Sequence, residues 1–305
     1  MKKYKLLIFI VLFYITGTPA NTTRDLKAVP DYNPLRIKKL IILHINLERI
    51  NNGRPSFIMN RNLNAAAQWH SDYMSEQEKL FHIASEKGMH DILQRVTFFG
   101  EKVNSYAEII SSVYSISAER LPFTKKKDNN GEYIDFGKNE VYWLSETEIA
   151  MLMKRSILNN PAYVKYILHE PFNSIGGGIT PGNINSLKGW YGSFAIVEKR
   201  DVIRLKLQIK FEKYTVRKKI NGKEKEKVIV KYFISGFRGL KAALLAVSGS
   251  GSFRVFDFTV MDGRLDFRID DEFRQKLNDD DRLYAASYDE ENDTYYPVSR
   301  IDVRK

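Results

Sequence analysis

Residues 43 to 53, Leu43-His-Ile-Asn-Leu-Glu-Arg-Ile-Asn-Asn-Gly53, with the spaced set Phe57, Leu63, Ala66-Ala67, His70 and Met74, decide the fold of the first half of this chain. Leu40, Leu43, Leu47 and Ile50 recur at helical steps, and so do Leu63, Ala66, Ala67, His70 and Met74. Asn33-Pro34 is a start signal for the first helix: a side chain that caps free N–H groups, then a proline whose φ is already helical. Gly53 supplies the left-handed residue that ends it. The spacing predicts two amphipathic helices joined by a short Gly-bearing loop.

Further blocks follow in order: Leu80-Phe81-His82, Gly88, Arg95 and Gly100; Ala107-Glu108-Ile109-Ile110; Asn160-Pro161-Ala162-Tyr163; Ile167-Leu168; Pro171-Phe172; Ile175-Gly176-Gly177-Gly178-Ile179; and Trp190-Tyr191-Gly192-Ser193-Phe194. No block is specific alone, but their order over about residues 37–197 resembles the bacterial branch of the CAP (SCP-like) superfamily, the cysteine-rich secretory, antigen 5 and pathogenesis-related proteins. Members carry L-x-N-x-x-R-x-x-x-G, a helix with paired alanines and a histidine, F-S-H, G-E-N-I, S-P-G-H-R and I-G-V-G with a Trp-bearing strand. The resemblance implies an α+β fold: an α/β/α sandwich over residues 33–199, with an insertion at about 112–145.

The N-terminus joins Lys2, Lys3 and Lys5 to the apolar run Leu6–Tyr14 and to Thr18-Pro19-Ala20. A basic start, a short apolar core and a small residue at the cut read as a secretory signal peptide over residues 1–20, and the run is too short to favour a membrane span. The expected location is secreted, periplasmic or cell surface. No cysteine occurs, which excludes disulfides and a cysteine-linked lipid. The mature chain relies on apolar cores and is long enough for two.

After Arg200 the period switches from helix to strand. Ile203, Leu205, Leu207, Ile209 and Phe211 alternate with polar residues, Asn221-Gly222 turns the chain, and Val228–Tyr232, Phe253–Phe258, Leu265–Ile269, Tyr284 and 295–303 continue the pattern. Residues 201–305 thus read as a small β-rich, sandwich-like domain. Formal charge is +11, and eleven lysines and arginines between Arg204 and Lys231 face three glutamates. Such a stripe suits a solvated strand face; its alternative is a surface adhesin for anionic glycans, with nucleic acid the less favoured polyanion. Asp279-Asp280-Asp281 lacks the alternating ligands and glycine of a calcium loop and reads as an exposed turn. In the insertion, Lys125–Gly131 reads as an exposed loop tip, a lid or plain decoration.

In the resembling family two histidines and two acids converge in a cleft where they can hold a divalent metal, since imidazole and carboxylate suit zinc-like ions. Residue by residue, His82 matches the histidine of F-S-H and Glu108 the acid of G-E-N-I. The second acid falls on Glu148 or Glu146, and the second histidine on Tyr163. A phenol must lose a proton of pKa near ~10 to ligate, so Tyr163 weakens the set. The ligand-binding cleft is assigned to His82, Glu108, Glu148 and Tyr163, with His82, Glu108 and Glu148 as a possible weak metal site and no catalytic residue. Ser145-Glu146-Thr147-Glu148 also spells a capping box. His70 reads as a core residue, His169 as a loop residue, and Arg49 and Arg95 as structural forks for carboxylates. Tyr163 and Ile109, in place of a histidine and an asparagine, make the cleft less polar. No nucleophile elbow or phosphate loop is present. The leading reading is a secreted non-enzymatic binding protein; the resemblance implies a small amphiphile, a lipid or a protein as partner. A metal-dependent peptidase is the runner-up.

Overall fold

The computed structural model describes residues 29–117, 124–128, 131–135, 142–185, 187–199, 208–220, 223–235, 241–260 and 264–301. The leader, the junction at Arg200-Asp201 and the turns at Asn221-Gly222 and Asp262-Gly263 lie outside the described residues. The chain is mixed α and β, with separate sheets in its two halves.

Helix α1 (Pro34–Asn51) starts as its sequence dictates, with Pro34 in the first turn and the Asn33 side chain accepting from the Arg36 N–H. It ends before Gly53, whose φ is +70°. Helix α2 (Arg61–Glu76) is capped by Asn60, and α4 (Glu146–Leu158) by the reciprocal Ser145–Glu148 box. The first sheet has the order β1 (Ile58–Met59), β5 (Ser174–Ile184), β6 (Leu187–Val197), β2 (Tyr106–Tyr114). Strand β1 runs parallel to β5; the other pairs are antiparallel.

Alternation along β6 sends Phe194 and Ile196 to one face, where Ile37, Ile41 and Ile45 of α1 and Ile149 and Met153 of α4 cover them. Ala195 and Val197 point to the other face, against Leu63, Ala66 and Ala67 of α2. The first half therefore has three layers, helix, sheet and helix. The second layer contact is unusually close. A Cβ added at Gly176 would overlap the backbone of Leu63 and Asn64, and one at Gly178 that of Ala67 and Gln68. Glycine is needed there because the helix backbone lies directly on the strand. Short helices α3 (Ile92–Phe98) and α5 (Pro161–Ile167) flank the sheet.

The expected loop at Lys125–Asp128 is instead strand β3 (Thr124–Asp128), paired with β4 (Gly131–Asp135) as a two-stranded ribbon. Its lysines satisfy their backbone in a ladder, which composition alone did not show.

In the second half, β9 (Lys241–Val247) is central in the order β10 (Phe253–Thr259), β9, β12 (Arg282–Asp289), β13 (Thr294–Ile301). A second sheet has the order β11 (Arg264–Ile269), β8 (Lys223–Ser235), β7 (Gln208–Ile220). Leu244, Ala246, Leu283 and Ile301 of the first meet Ile234, Leu265, Phe267 and Ile269 of the second in one core. The other face of β9 and β12, Ala243, Leu245, Tyr284 and Ala286, packs on Leu43 and Leu47 of α1. Helix α1 is thus buried on two sides, and the halves share it. Lys39 pairs with Asp293 at 2.9 Å, the Tyr296 hydroxyl accepts from the Met59 N–H at 2.9 Å, and the Tyr284 hydroxyl donates to Asn51 at 3.0 Å. Short helix α6 (Asp271–Gln275) closes the second core with Phe273. In the Asp279–Asp281 turn Asp279 and Asp280 are exposed as expected, whereas the Asp281 carboxylate is nearly buried and takes the Arg254 guanidinium.

Substituting Gly178→Ala should cost about 3 kcal/mol of unfolding free energy, since neither backbone can yield cheaply. The same change at exposed Gly88 lacks a steric clash and should cost less than half as much, by strain alone. Urea titration of both variants reads the difference.

Candidate functional site

Glu108 lies on β2, an edge strand of the first sheet, and its side chain is almost wholly buried. A buried carboxylate must be matched by donors. Its Oε1 takes the Arg95 guanidinium at 2.6 Å, His70 Nδ1 at 2.8 Å and the Ser193 hydroxyl at 3.3 Å. Its Oε2 takes His82 Nδ1 at 3.0 Å. Both imidazoles therefore present Nδ1–H to one carboxylate. Burial on its own raises the Glu108 carboxyl, but hydrogen bonds from His70 and His82 and the His70 and Arg95 charges outweigh it and hold the carboxyl at about 2.

Each partner arrives from a different element. His70 comes from α2 and is fully buried; the close packing of α2 on β5 brings it over the sheet. Arg95, on α3 and also fully buried, donates to the carbonyls of His82, Met89 and His90, so it shapes the loop that carries His82. Phe81 anchors the same loop, packing edge-on to Tyr73 at 5.4 Å and joining Met74, Ile110 and Tyr191. His82 is left about one quarter exposed. Its Nε2 lies 3.4 Å from the Tyr163 hydroxyl, which is also hydrogen-bonded to the Ile110 backbone on β2. With Nδ1–H donated to Glu108, Nε2 is the acceptor and the phenol the donor. Burial raises the Tyr163 phenol above its ordinary 10; the Ile110 bond opposes that and the Glu108 charge adds to it.

Of the four expected cleft residues, the structure brings together His82, Glu108 and Tyr163. Glu148 stays on its own helix end, where its carboxylate takes the Ser145 N–H and hydroxyl at 2.8 Å. Glu146 is bonded to the Asn33 N–H and to Arg36. Among the described residues no group of three His, Cys, Asp or Glu side chains is disposed to hold an ion. Glu148 is thus not grouped with His82 and Glu108; its Oε2 is held in the capping box. Ile109 does not line the cleft either: it is fully buried in the core on the opposite face of the sheet. His169 packs on Phe172, at 4.9 Å between ring centres, and stays out of the site.

His70 is the residue that sequence reasoning missed. It was expected in the core, and it is there, but as a ligand of the buried acid. The available signal was an imidazole on an otherwise apolar helix face in a chain that also had to bury Glu108. Arg95 does reach a carboxylate as expected, but through Nη2 alone and not as a fork. Arg49 instead donates to the carbonyls of Pro55, Ile167 and Phe172 and lies over the Phe57 ring at 3.8 Å.

No family model matches the chain, and no curated protein does. Among solved structures, an extracellular protein containing an SCP domain from Bacillus anthracis is similar at 14% identity and a TM-score of 0.36, over 53% of this chain and 40% of that one. An outer surface protein from Borrelia burgdorferi is similar at 13% identity and a TM-score of 0.36, over 53% of this chain and 92% of that one. The chain spans two fifths of the length of the Bacillus protein.

Glu108→Gln leaves the Arg95 charge buried without its carboxylate and should cost about 3–5 kcal/mol. The folded Glu108 value lies below the ordinary 4.5, so its contribution is complete above about pH 4.5 and is lost as pH falls toward about 2. His44, held near 4 by burial and the Lys154 charge against a Gly251 backbone bond, adds acid sensitivity between its ordinary 6.5 and about 4. The Glu108 share is therefore the difference between the acid-unfolding curves of wild type and Glu108→Gln. That difference should shrink below about pH 4 and be flat above 5.

Proposed function

We propose that this chain is a secreted, periplasmic or surface-located CAP-type binding module without enzymatic activity, whose buried acid cluster is a strut and not a reaction centre. In this reading residues 1–20 are the leader, 33–199 the CAP unit with its 112–145 insertion, and 201–305 an added β-rich unit. The half-buried face of His82 and Tyr163 belongs to a cleft for a small amphiphile or a segment of a protein partner.

One observation carries the reading: both oxygens of Glu108 are already used, by four donors. A carboxylate offers about four lone-pair positions, so little acceptor capacity remains for a metal or a substrate proton. A metal-dependent hydrolase needs an ion, an activated water and a base. The donor set does not fit the ion. Both Nδ1 atoms face one carboxylate, and the raised phenol of Tyr163 is a poor ligand. The family's motif order and the helix–sheet–helix layering of the first half support the CAP assignment. No helix among the described residues is long and apolar enough to cross a membrane.

Calorimetric titration with zinc should show at most weak binding by the wild-type chain. Tyr163→His sets a second imidazole beside Nε2 of His82 and should raise the affinity at least ~10-fold, a gain lost on His82→Ala. Tight wild-type binding that survives His82→Ala would contradict the strut. Retention on lipid-coated beads should fall on Tyr163→Lys. Peptide turnover by the purified chain that disappears in Glu108→Gln would establish the hydrolase instead.

A further inference from the structure

We propose that the outer face of the β7–β8 ribbon is a binding surface for a linear anionic glycan. The ribbon lies in the second half of the chain and shares no residue with the Glu108 cluster. It rests on the reading above only for a location outside the cell, so ribbon and cleft can fail separately.

Strand register tells the two faces apart. Residues opposite each other in an antiparallel pair share a face, and so do alternate residues along each strand. Ile234 stands opposite Leu265, and Phe267 and Ile269 follow at steps of two. These four are buried in the core of the second half, so their face is the inner one. Lys210 and Glu212 fall on the other face and are exposed. Strand β11 pairs with β8 only from Val230 to Ser235. From Tyr214 and Ile229 outward, β7 and β8 therefore have only each other as strand partners among the described residues. Thr215 and Arg217 lie on the inner face of this outer part and are exposed, because the core has ended.

The register also sorts the charges of that outer part. On the inner face Arg217 stands opposite Glu226 and Lys219 opposite Glu224, each cation facing an acid. On the outer face Lys218 stands opposite Lys225, Lys227 opposite Val216 and Lys223 opposite Ile220, with no acid among them. Opposite charges facing each other support a ribbon, and like charges directly opposite weaken it. Charge does protect a bare strand edge from pairing, but that protection does not require one sign on one face. A face of one sign concentrates a partner of the other sign, and that partner offsets the repulsion.

The arrangement narrows the partner. Along β8 the lysines at 223, 225 and 227 recur every second residue, about 7 Å apart at a rise of ~3.4 Å per residue. Such a row matches repeated charges on an extended chain better than a single small anion. All four are lysines, point charges without the planar fork of arginine. The outer face beyond Tyr214 carries no arginine, asparagine or glutamine to read base edges and no ring on which bases could stack. A glycan bearing carboxylates or sulfates needs only the row of charge.

The full chain titrated with heparin as a sulfated glycan, polygalacturonate as a carboxylated one, and a DNA duplex tests the assignment. At least one glycan should bind saturably, with an affinity that falls as salt rises. Lys218→Gln, Lys225→Gln and Lys227→Gln together should weaken that binding about tenfold, as three exposed charge contacts warrant. The thermal midpoint of this triple variant should hold or rise, because the facing lysine pair is relieved. Lys213→Gln, Arg217→Gln and Lys219→Gln together remove the same charge from the inner face and should weaken binding less than about threefold. If the first triple variant does not fold, Lys225→Gln alone should still weaken binding about twofold. Equal losses in the two triple variants, no saturable binding of either glycan, or tighter binding of the duplex would each overturn the proposal.

Discussion

The approach of α2 to β5 sets the geometry on which the site depends. Beyond its two-residue pairing with β1, the outer edge of β5 has no neighbouring strand among the described residues. Helix α2 occupies that position. Asn64 and Gln68 accept from the Gly177 and Ile179 N–H groups at 2.9 and 3.2 Å, so helix side chains complete the ladder that a further strand would have made. Only glycines at 176 and 178 allow the helix backbone to come so near. One turn further along the same helix, His70 is thereby placed within hydrogen-bond reach of Glu108. The opposite edge of the sheet is treated alike. There the Tyr163 phenol bonds the Ile110 backbone on β2. Edge satisfaction, at both ends of the sheet, brings into one place the side chains that form the candidate site.

The electrostatics of that place follow from burial. An isolated carboxylate inside a protein would be driven neutral. Here four donors hold it ionised, and the fully buried Arg95 gains the counter-charge it would otherwise lack. The same saturation removes the lone pairs that a ligand-holding acid needs. A histidine in place of Tyr163 would offer a second nitrogen at His82 Nε2; a phenol, whose proton burial helps to retain, offers a hydrogen bond. In the reading proposed above, the phenol thus turns the cluster toward structural hydrogen bonding, with His82 as its accessible member.

Much of the fold was legible because its signals are local. The Asn33-Pro34 start, the Gly53 stop and the Ser145–Glu148 box act within one helical turn, and each appears where the residues placed it. The glycine run at 176–178 signalled close backbone approach without saying to what. Strand β9 escaped notice for a physical reason: Ala242–Val247 is buried on both faces, so it reads as a continuous apolar run without the alternation that marks a half-buried strand. His70 escaped for a related reason. Its role depends on Glu108, 38 positions away in sequence and opposite it only after α2 has docked. Glu148 was half legible: its spacing from Ser145 announced the cap, and the cap is where its Oε2 is found.

Helix α1 shows why a change of sequence period does not by itself separate two bodies. Ile37, Ile41 and Ile45 enter the core of the first half, while Leu43 and Leu47 enter a cluster with β9 and β12. A helix apolar around most of its circumference is a helix covered on most sides. Fully burying a leucine is worth about 1.5–3 kcal/mol, so Leu43 and Leu47 alone give the docked arrangement a stake comparable to a sizeable share of a domain's stability. The polar contacts at the same seam are specific rather than strong: Lys39 with Asp293 is an exposed pair, and Tyr284 with Asn51 a single bond. Apolar contact therefore holds the halves together and polar contact sets their register. The buried, acid-sensitive His44 on α1, bonded to the Gly251 backbone in the β9–β10 turn, places a titratable group at this seam. Acid should accordingly loosen the seam, at His44, before it reaches the Glu108 cluster.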